Sequence, residues 1–225
     1  MVESASNPPF PWIALPFVPG ITLQHALRHQ TLTQNCKLQV SSQMADTLTL
    51  LHRCCVAHMD IKSSNMLWEP RTVRLYVIDF GMSIETESFG RPTGDLEEFV
   101  GVTSNYRPPE LWRQKVTMFT KCFAVDVWSF GCTMLELFHG KFLMKGKTLK
   151  DIEAAVQKWV HSWHSASSHP AILAVPSQLR HVAWWCCAPE VAARPQMQCQ
   201  AIARSQQLPR CPNVQTPAVS AGRRL

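Results

Sequence analysis

The stretch that decides the fold of this chain is His58-Met59-Asp60-Ile61-Lys62-Ser63-Ser64-Asn65, followed by Asp79-Phe80-Gly81. Its residue types suit a metal and phosphate site. Asp60 can accept a proton from a hydroxyl nucleophile, and Lys62 can neutralise charge on a phosphoryl group. Asn65 and Asp79 offer the hard oxygen ligands that Mg²⁺ prefers.

The residues between Asn65 and Asp79 predict a β-hairpin. Two short strands are expected at 66–68 and 73–78, joined by a turn at 69–72. A tight hairpin brings Asn65 and Asp79 to the same end, where both can reach one metal pair.

The stretch 58–65 resembles the catalytic loop of eukaryotic protein kinases, H-R-D-L-K-x-x-N, with Met59 in place of the arginine. Asp79-Phe80-Gly81 matches the D-F-G motif of that family. Three further matches follow in the family's order and make the resemblance specific. They are Thr103-Ser104-Asn105-Tyr106-Arg107-Pro108-Pro109-Glu110 at the end of the activation segment, Asp126-Val127-Trp128-Ser129-Phe130-Gly131 at the start of the central helix, and Arg194-Pro195.

The resemblance implies a role for each residue of the loop. Asp60 and Lys62 would be the catalytic residues. Asn65 and Asp79 would bind the cofactors, which are ATP and the metal ion Mg²⁺. Thr103 would belong to the substrate loop, in contact with Asp60 and Lys62. Both Lys62 and Thr103 indicate serine/threonine specificity, and residues 106–111 look most like the cyclin-dependent kinase branch.

Other residues would have binding or structural roles in the family frame. The segment 16–18 is similar to the hinge, where the backbone of Pro16 and Val18 would hold adenine. The resemblance assigns structural roles to four further residues. These are His58 in the catalytic loop, Asp126, which would hold that loop's backbone, and the partners of a buried ion pair, Glu110 and Arg194.

Met59 departs from the family pattern. In many kinases the arginine at this position binds a phosphate on the activation segment, and methionine cannot form such a charge-assisted bond. The segment 81–108 is then either active-like without phosphorylation or not controlled in this way. Its candidate phosphorylation sites are Ser83, Thr86, Ser88 and Thr93.

The small lobe of a kinase is expected to be essentially absent from this sequence. None of the nine glycines forms a G-x-G-x-x-G pattern, and the first lysine is Lys37, well after the hinge-like segment. Three readings follow: a truncated serine/threonine kinase domain, an inactive pseudokinase or scaffold that binds proteins through its large lobe, or a large lobe whose partner lobe is supplied in trans. The isolated chain is expected to have little or no kinase activity.

The predicted fold class is mainly α (α+β), a kinase-like large lobe with a short β-hairpin at the catalytic loop. Residues 1–9 are expected to be a disordered N-terminus, 10–205 the kinase-like domain and 206–225 a disordered tail. Apolar spacing and capping residues predict the helices 22–30, 37–56, 126–138, 148–163 and 177–187, with a loop at 165–170.

Composition favours a globular protein, and we expect it to be intracellular, in the cytoplasm or nucleus. Of 225 residues, 46% are hydrophobic and 17% charged, and the net charge of +6 is scattered. The densest basic run, at Lys141, Lys145, Lys147 and Lys150, indicates a solvated face rather than a nucleic-acid site. Nine cysteines include no C-x-x-C pair, and no apolar run is long enough to cross a membrane. The expected partners are a protein substrate or another protein partner, with no nucleic acid and no membrane.

Overall fold

The computed structural model describes residues 3–5, 12–14, 16–93, 102–112, 117 and 120–196. The α-helices account for most of the regular secondary structure in this part of the chain. They are α1 (Leu23–Arg28), α2 (Gln34–Arg53), α3 (Cys122–His139), α4 (Leu149–Ser162), α5 (Pro170–Ala174) and α6 (Ser177–Cys186). The tail predicted at 206–225 lies outside the described residues.

Short strands form three small antiparallel sheets. They are β1 (Glu3–Ala5), β2 (Trp12–Ala14), β3 (Ile21–Thr22), β4 (Val56–Ala57), β5 (Met66–Glu69), β6 (Arg74–Val77) and β7 (Ile84–Glu85). β1 pairs with β2, β4 pairs with β7, and β3, β5 and β6 form a three-stranded sheet in that order. The pairing of β1 with β2 differs from our expectation that residues 1–9 lack structure, because the apolar run around Trp12 pairs with residues 3–5.

Helix boundaries follow capping side chains. Thr22 caps α1 by accepting a hydrogen bond from the His25 backbone N–H. Thr33 caps α2 in the same way from Cys36 N–H, so α2 begins three residues before the predicted start at 37. It ends at Arg53 because Cys55 adopts a positive φ of 59°, after which the chain continues as β4.

Helix α3 is the centre of the fold. Its residues from Val125 to Leu137 are all buried, as expected for a helix that is apolar on every face. The helix packs against α2, α5 and α6. Gly131 allows the close approach to α6, since a Cβ there would lie 2.7 Å from Cys187 Sγ and 2.8 Å from Cys186 Cβ. The helix ends at Gly140, which has a φ of 76°.

The second half of the chain corrects two details of the sequence prediction. Ile152, Val156 and Trp159 form the buried stripe of α4, but Leu149 is 62% exposed because it is the first residue of the helix. The predicted loop at 165–170 is wrong: residues Trp163–Ser168 form a 3₁₀ helix and α5 begins at Pro170. The hydroxyls of Ser165 and Ser168 donate to carbonyls three residues earlier, and Pro170 suits a first helical position.

The four lysines of the densest basic run were predicted to form a solvated face. Lys141, Lys145, Lys147 and Lys150 are all exposed. Within the described residues, no helix has the length and apolar character needed to span a bilayer.

Candidate active site

The catalytic-loop stretch is suspended from Asp126 of α3. The buried Asp126 carboxylate accepts hydrogen bonds from the backbone N–H groups of His58 (2.8 Å) and Met59 (2.7 Å). It also lies 3.1 Å from His52 Nε2. These bonds hold Met59 at a φ of 64°, a left-handed conformation that few side chains adopt.

His52 is a residue that the sequence analysis missed. It is buried on α2, four residues after the buried Leu48, and its ring stacks on Phe123 at 4.2 Å. A histidine in line with an apolar helical stripe signals a need for a buried polar partner, but only the tertiary structure identifies that partner as Asp126.

The Asp60 side chain lies at the centre of a polar cluster. Its Oδ2 accepts from Lys62 Nζ at 2.6 Å and from Asn65 Nδ2 at 2.9 Å, and its Oδ1 accepts from Thr103 Oγ1 at 2.6 Å. Lys62 Nζ also lies 3.0 Å from Thr103 Oγ1. Three of the four loop residues singled out in the sequence, together with Thr103 from forty-three residues later, therefore share one carboxylate.

This cluster keeps Asp60 ionised. Burial by itself would raise the pKa of Asp60, but the hydrogen bonds from Lys62, Thr103 and Asn65 and the Lys62 charge outweigh it and lower the pKa. An ionised carboxylate in this position can accept and orient a hydroxyl proton.

Asn65 and Asp79 lie at the same end of the β5–β6 hairpin. The Asn65 carbonyl oxygen accepts a 2.9 Å hydrogen bond from the Ile78 N–H, directly before Asp79. The Asn65 amide nitrogen is used by Asp60, whereas Asp79 is exposed, with a φ of 65° and a 3.4 Å bond from the Gly81 N–H to its Oδ1. The side-chain oxygens of Asn65 and Asp79 are of the type that Mg²⁺ prefers.

His58 is engaged at both ring nitrogens. Its Nδ1 accepts from the Asp60 backbone N–H at 3.2 Å, and its Nε2 lies 3.2 Å from the Ile78 carbonyl oxygen. The ring therefore connects the loop to the hairpin and has no nitrogen left for proton transfer.

The hinge-like segment 16–18 is largely exposed. Pro16 is exposed, Val18 is half-buried and Phe17 between them is 89% exposed. The segment leads into β3, which pairs with β5 directly after Asn65, through Thr22 and Leu67. No hydrogen bond joins residues 16–18 to the Asp60 cluster within the described part of the chain.

Glu110 and Arg194 form a two-pronged ion pair. Arg194 Nη1 and Nη2 lie 2.6 and 2.8 Å from the two Glu110 carboxylate oxygens. The buried guanidinium also donates to carbonyl oxygens and lies 5.0 Å from the centre of the Trp128 ring. This pair ties the end of the activation segment to the region after α6.

A second buried polar group was missed by the sequence analysis. Glu136 of α3 accepts hydrogen bonds from Tyr106 (2.7 Å) and from Ser63 (3.1 Å). Burial raises the pKa of Glu136, and these two bonds offset part of that rise. The only signal for it in the sequence was a carboxylate that interrupts an apolar helix. In the structure, Glu136 joins the catalytic loop to the segment that carries Thr103.

Replacing Lys62 by methionine is expected to raise the pKa of Asp60. The change removes both a hydrogen bond and a positive charge that lower this pKa, while the burial that raises it remains. The Asp60 carboxyl can be titrated by carbon-13 NMR, with the exposed Lys145→Met as the matched control. In the parent chain the folded pKa is below that of the unfolded chain, so the stability contributed by Asp60 is present above pH ~4 and is lost as the pH falls through the folded pKa. An unchanged pKa in Lys62→Met would contradict this account.

Comparison with known proteins shows the family of this chain. The family described as "Protein kinase domain" matches residues 1–205. The chain is 31% identical over 138 residues to mitogen-activated protein kinase 12 of Mus musculus, covering 60% of this chain and 34% of that protein. It is 38% identical over 109 residues to cyclin-dependent kinase G1 of Arabidopsis thaliana, covering 48% of this chain and 16% of that protein. A probable CTD kinase subunit alpha homolog of Encephalitozoon cuniculi is 28% identical over 137 residues, with coverages of 61% and 39%.

The chain belongs to the protein kinase family, and its relatives confirm the recognition of a eukaryotic serine/threonine type. The family match begins at residue 1, nine residues before the start of the domain predicted from the motifs. The aligned region spans well under half the length of each of these curated relatives.

Proposed function

We propose that this chain carries the large-lobe part of a serine/threonine protein kinase site, which transfers a phosphoryl group from ATP to a protein hydroxyl. One observation carries the proposal: the Asp60 carboxylate is held by Lys62, Thr103 and Asn65 within 2.6–2.9 Å. A carboxylate fixed in this way, beside a lysine, suits the acceptance of a hydroxyl proton next to developing phosphoryl charge.

Each residue has a defined task in this proposal. Asp60 orients the substrate hydroxyl and accepts its proton, and Lys62 balances negative charge on the transferred group. Thr103 holds both side chains in register and places the substrate segment beside them. The ionised state of Asp60 supports its task as proton acceptor.

Asn65 and Asp79 would hold Mg²⁺, since both lie at one end of the hairpin and both supply oxygen donors. ATP would supply the phosphoryl group, and Mg²⁺ would neutralise part of its negative charge. The backbone at Pro16 and Val18 would contact the adenine. The sequence has no Gly-rich phosphate loop, so we expect the chain by itself to phosphorylate a generic peptide very slowly or not at all.

The proposal predicts weak ATP binding that requires Mg²⁺ and Asp79. Calorimetry of the purified chain with Mg²⁺-ATP should show binding in the high-micromolar to millimolar range, and Asp79→Asn should abolish it because the amide removes the metal's charged ligand. Asp46→Asn, an exposed change on α2, is the matched control. Equal binding by Asp79→Asn would contradict the metal role, and no binding by the parent chain up to millimolar ATP would favour the alternative below.

The alternative is an inactive pseudokinase or scaffold that binds protein partners through the large lobe. The observation that favours it is apolar exposure on the described chain near the nucleotide side, at Phe17 (89%) and at Phe80 of the Asp79-Phe80-Gly81 motif (47%). In either case the proposed partner is a protein, and the proposed location is the cytoplasm or nucleus.

A further inference from the structure

The nine histidines of the chain differ in what their ring nitrogens contact. Five of the rings lie within hydrogen-bonding distance of protein atoms, and they belong to His52, His58, His161, His169 and His181. The other four rings have no hydrogen-bonding partner among the described residues, and they belong to His25, His29, His139 and His164. Two of these four, His25 and His29, lie side by side.

His25 and His29 are one helical turn apart at the end of α1. The His29 backbone N–H donates to the His25 carbonyl oxygen at 3.1 Å, so the two positions keep helical spacing even though His29 caps the helix. Residues four apart on a helix are neighbours on one face. The centres of the two rings are 4.2 Å apart, their planes are inclined by 36°, and both side chains are exposed. Two imidazoles without protein partners for their nitrogens therefore lie at one exposed place.

The backbone that carries this pair is fixed, although α1 has only six residues. Leu23 and Ala26 of the helix are completely buried. The Thr22 hydroxyl accepts a 3.1 Å hydrogen bond from the His25 N–H at the start of the helix. After the helix, the Thr31 N–H donates to the Ala26 carbonyl oxygen at 3.0 Å. A ligand that binds both rings would therefore have to order only the two side chains, which keeps the entropic cost of binding small.

Paired imidazole nitrogens are ligands for divalent transition-metal ions such as Ni²⁺, Cu²⁺ and Zn²⁺. An ion about 2.0–2.1 Å from each nitrogen needs the two nitrogens roughly 3 Å apart, which rotation of side chains with ring centres 4.2 Å apart can provide. α1 contains no Asp or Glu, so it offers no carboxylate to Mg²⁺ or Ca²⁺.

Two features limit the strength of such a site. Within the described residues, no third His, Cys, Asp or Glu joins the pair to make a larger ligand group. Water would then complete the coordination. The neighbouring Arg28 is positively charged and works against a cation, although salt screens this effect because Arg28 and both histidines are exposed.

We propose that His25 and His29 form a two-histidine binding site for a divalent transition-metal ion. The site uses other residues than the proposed Mg²⁺ site at Asn65 and Asp79, and it does not depend on whether the chain binds ATP. Since α1 packs against the 3₁₀ turn Ser63–Asn65 and against β5, an ion bound across its last turn would stiffen a helix that supports the catalytic loop.

Calorimetric titration of the full chain with Ni²⁺, in a preparation without a histidine tag, tests this site. Ni²⁺ is the probe because it does not oxidise the exposed thiol of Cys54, as Cu²⁺ would. The parent chain should bind Ni²⁺. His25→Ala and His29→Ala should each weaken this binding about 100-fold, because a single imidazole loses the high effective concentration of the second ligand.

Amide hydrogen exchange locates the bound ion. At a free Ni²⁺ concentration ten times the dissociation constant, exchange in peptides covering 23–30 should slow about tenfold in the parent chain, because opening the helix would release the ion. The two alanine variants should show no such slowing at the same Ni²⁺ concentration. Binding of Ni²⁺ by the parent chain without protection of 23–30 would place the ion elsewhere and overturn the proposal.

His164→Ala is the matched control, since His164 is also exposed and its ring also has no hydrogen-bonding partner among the described residues. It should leave the Ni²⁺ affinity unchanged, and so should Asp79→Asn, which removes a proposed Mg²⁺ ligand. The proposal is overturned if the parent chain binds no Ni²⁺ up to millimolar concentration, if either control variant weakens binding as much as His25→Ala, or if His25→Ala and His29→Ala bind like the parent chain.

Discussion

Replacing Asp126 by alanine is expected to lower the free energy of unfolding by about 3–5 kcal/mol, which is a large part of the stability of a typical domain. The fully buried carboxylate accepts from two backbone N–H groups and contacts His52. Alanine leaves these groups unpaired in the interior and leaves a cavity beside them, and each unsatisfied buried donor costs about 1–3 kcal/mol. Urea denaturation followed by circular dichroism measures the change.

Two variants make the result specific. Asp46→Ala on the exposed face of α2 should change stability by less than about 0.5 kcal/mol. Asp126→Asn keeps the size of the side chain but has one acceptor oxygen instead of two, so its loss should be smaller than that of alanine. Because Asp126 holds Met59 at a positive φ, Asp126→Ala should also change the NMR signals of Asp60 and Lys62. A cost below 1 kcal/mol with an unchanged Asp60 environment would show that the loop holds its shape without Asp126.

Arg194→Met is expected to cost about 3–5 kcal/mol as well, through a different mechanism. Methionine keeps much of the aliphatic length, but it leaves Glu110 without its cation and three backbone carbonyls, those of Ala124, Ala188 and Pro189, without their donor. The contact with the Trp128 ring is lost too.

A double-variant cycle can separate the interaction energy of Arg194 with Glu110 from the energy of the other contacts of Arg194. The Glu110 side chain is 25% exposed and can reach water, so Glu110→Gln should cost less than Arg194→Met. The double variant should cost clearly less than the sum of the two single changes, because they share one interaction. Arg53→Met, an exposed arginine at the end of α2, is the control and should be nearly neutral. Full additivity of the two changes would mean that the pair contributes little beyond its individual contacts.

Local patterns predicted the elements of this fold well where a chemical signal marked them. The central helix was recognisable because it is apolar on all faces, and Thr22 marked the start of α1. Patterns failed where a terminus or a packing contact decided the outcome. Leu149 fits the apolar spacing of α4 but is exposed at the first turn, and the 3₁₀ helix at Trp163–Ser168 is formed by serine-to-backbone bonds in a stretch with no apolar period.

The motifs in the sequence identified the family, because five of them resemble those of protein kinases in the same order, and that resemblance also supplied the candidate site residues. Only the tertiary structure decided the partners of those residues. Thr103 donates a hydrogen bond to Asp60, which lies forty-three positions earlier in the chain. Asp126 contacts His52 of α2. Glu136 accepts hydrogen bonds from Ser63 and Tyr106. It also decided that Met59 is buried in one apolar cluster with Ile84 and Val102. The spacing of residues within one short stretch can be read directly from the sequence. Contacts between distant residues depend on how the helices and loops pack, and the pattern of one stretch does not determine that packing.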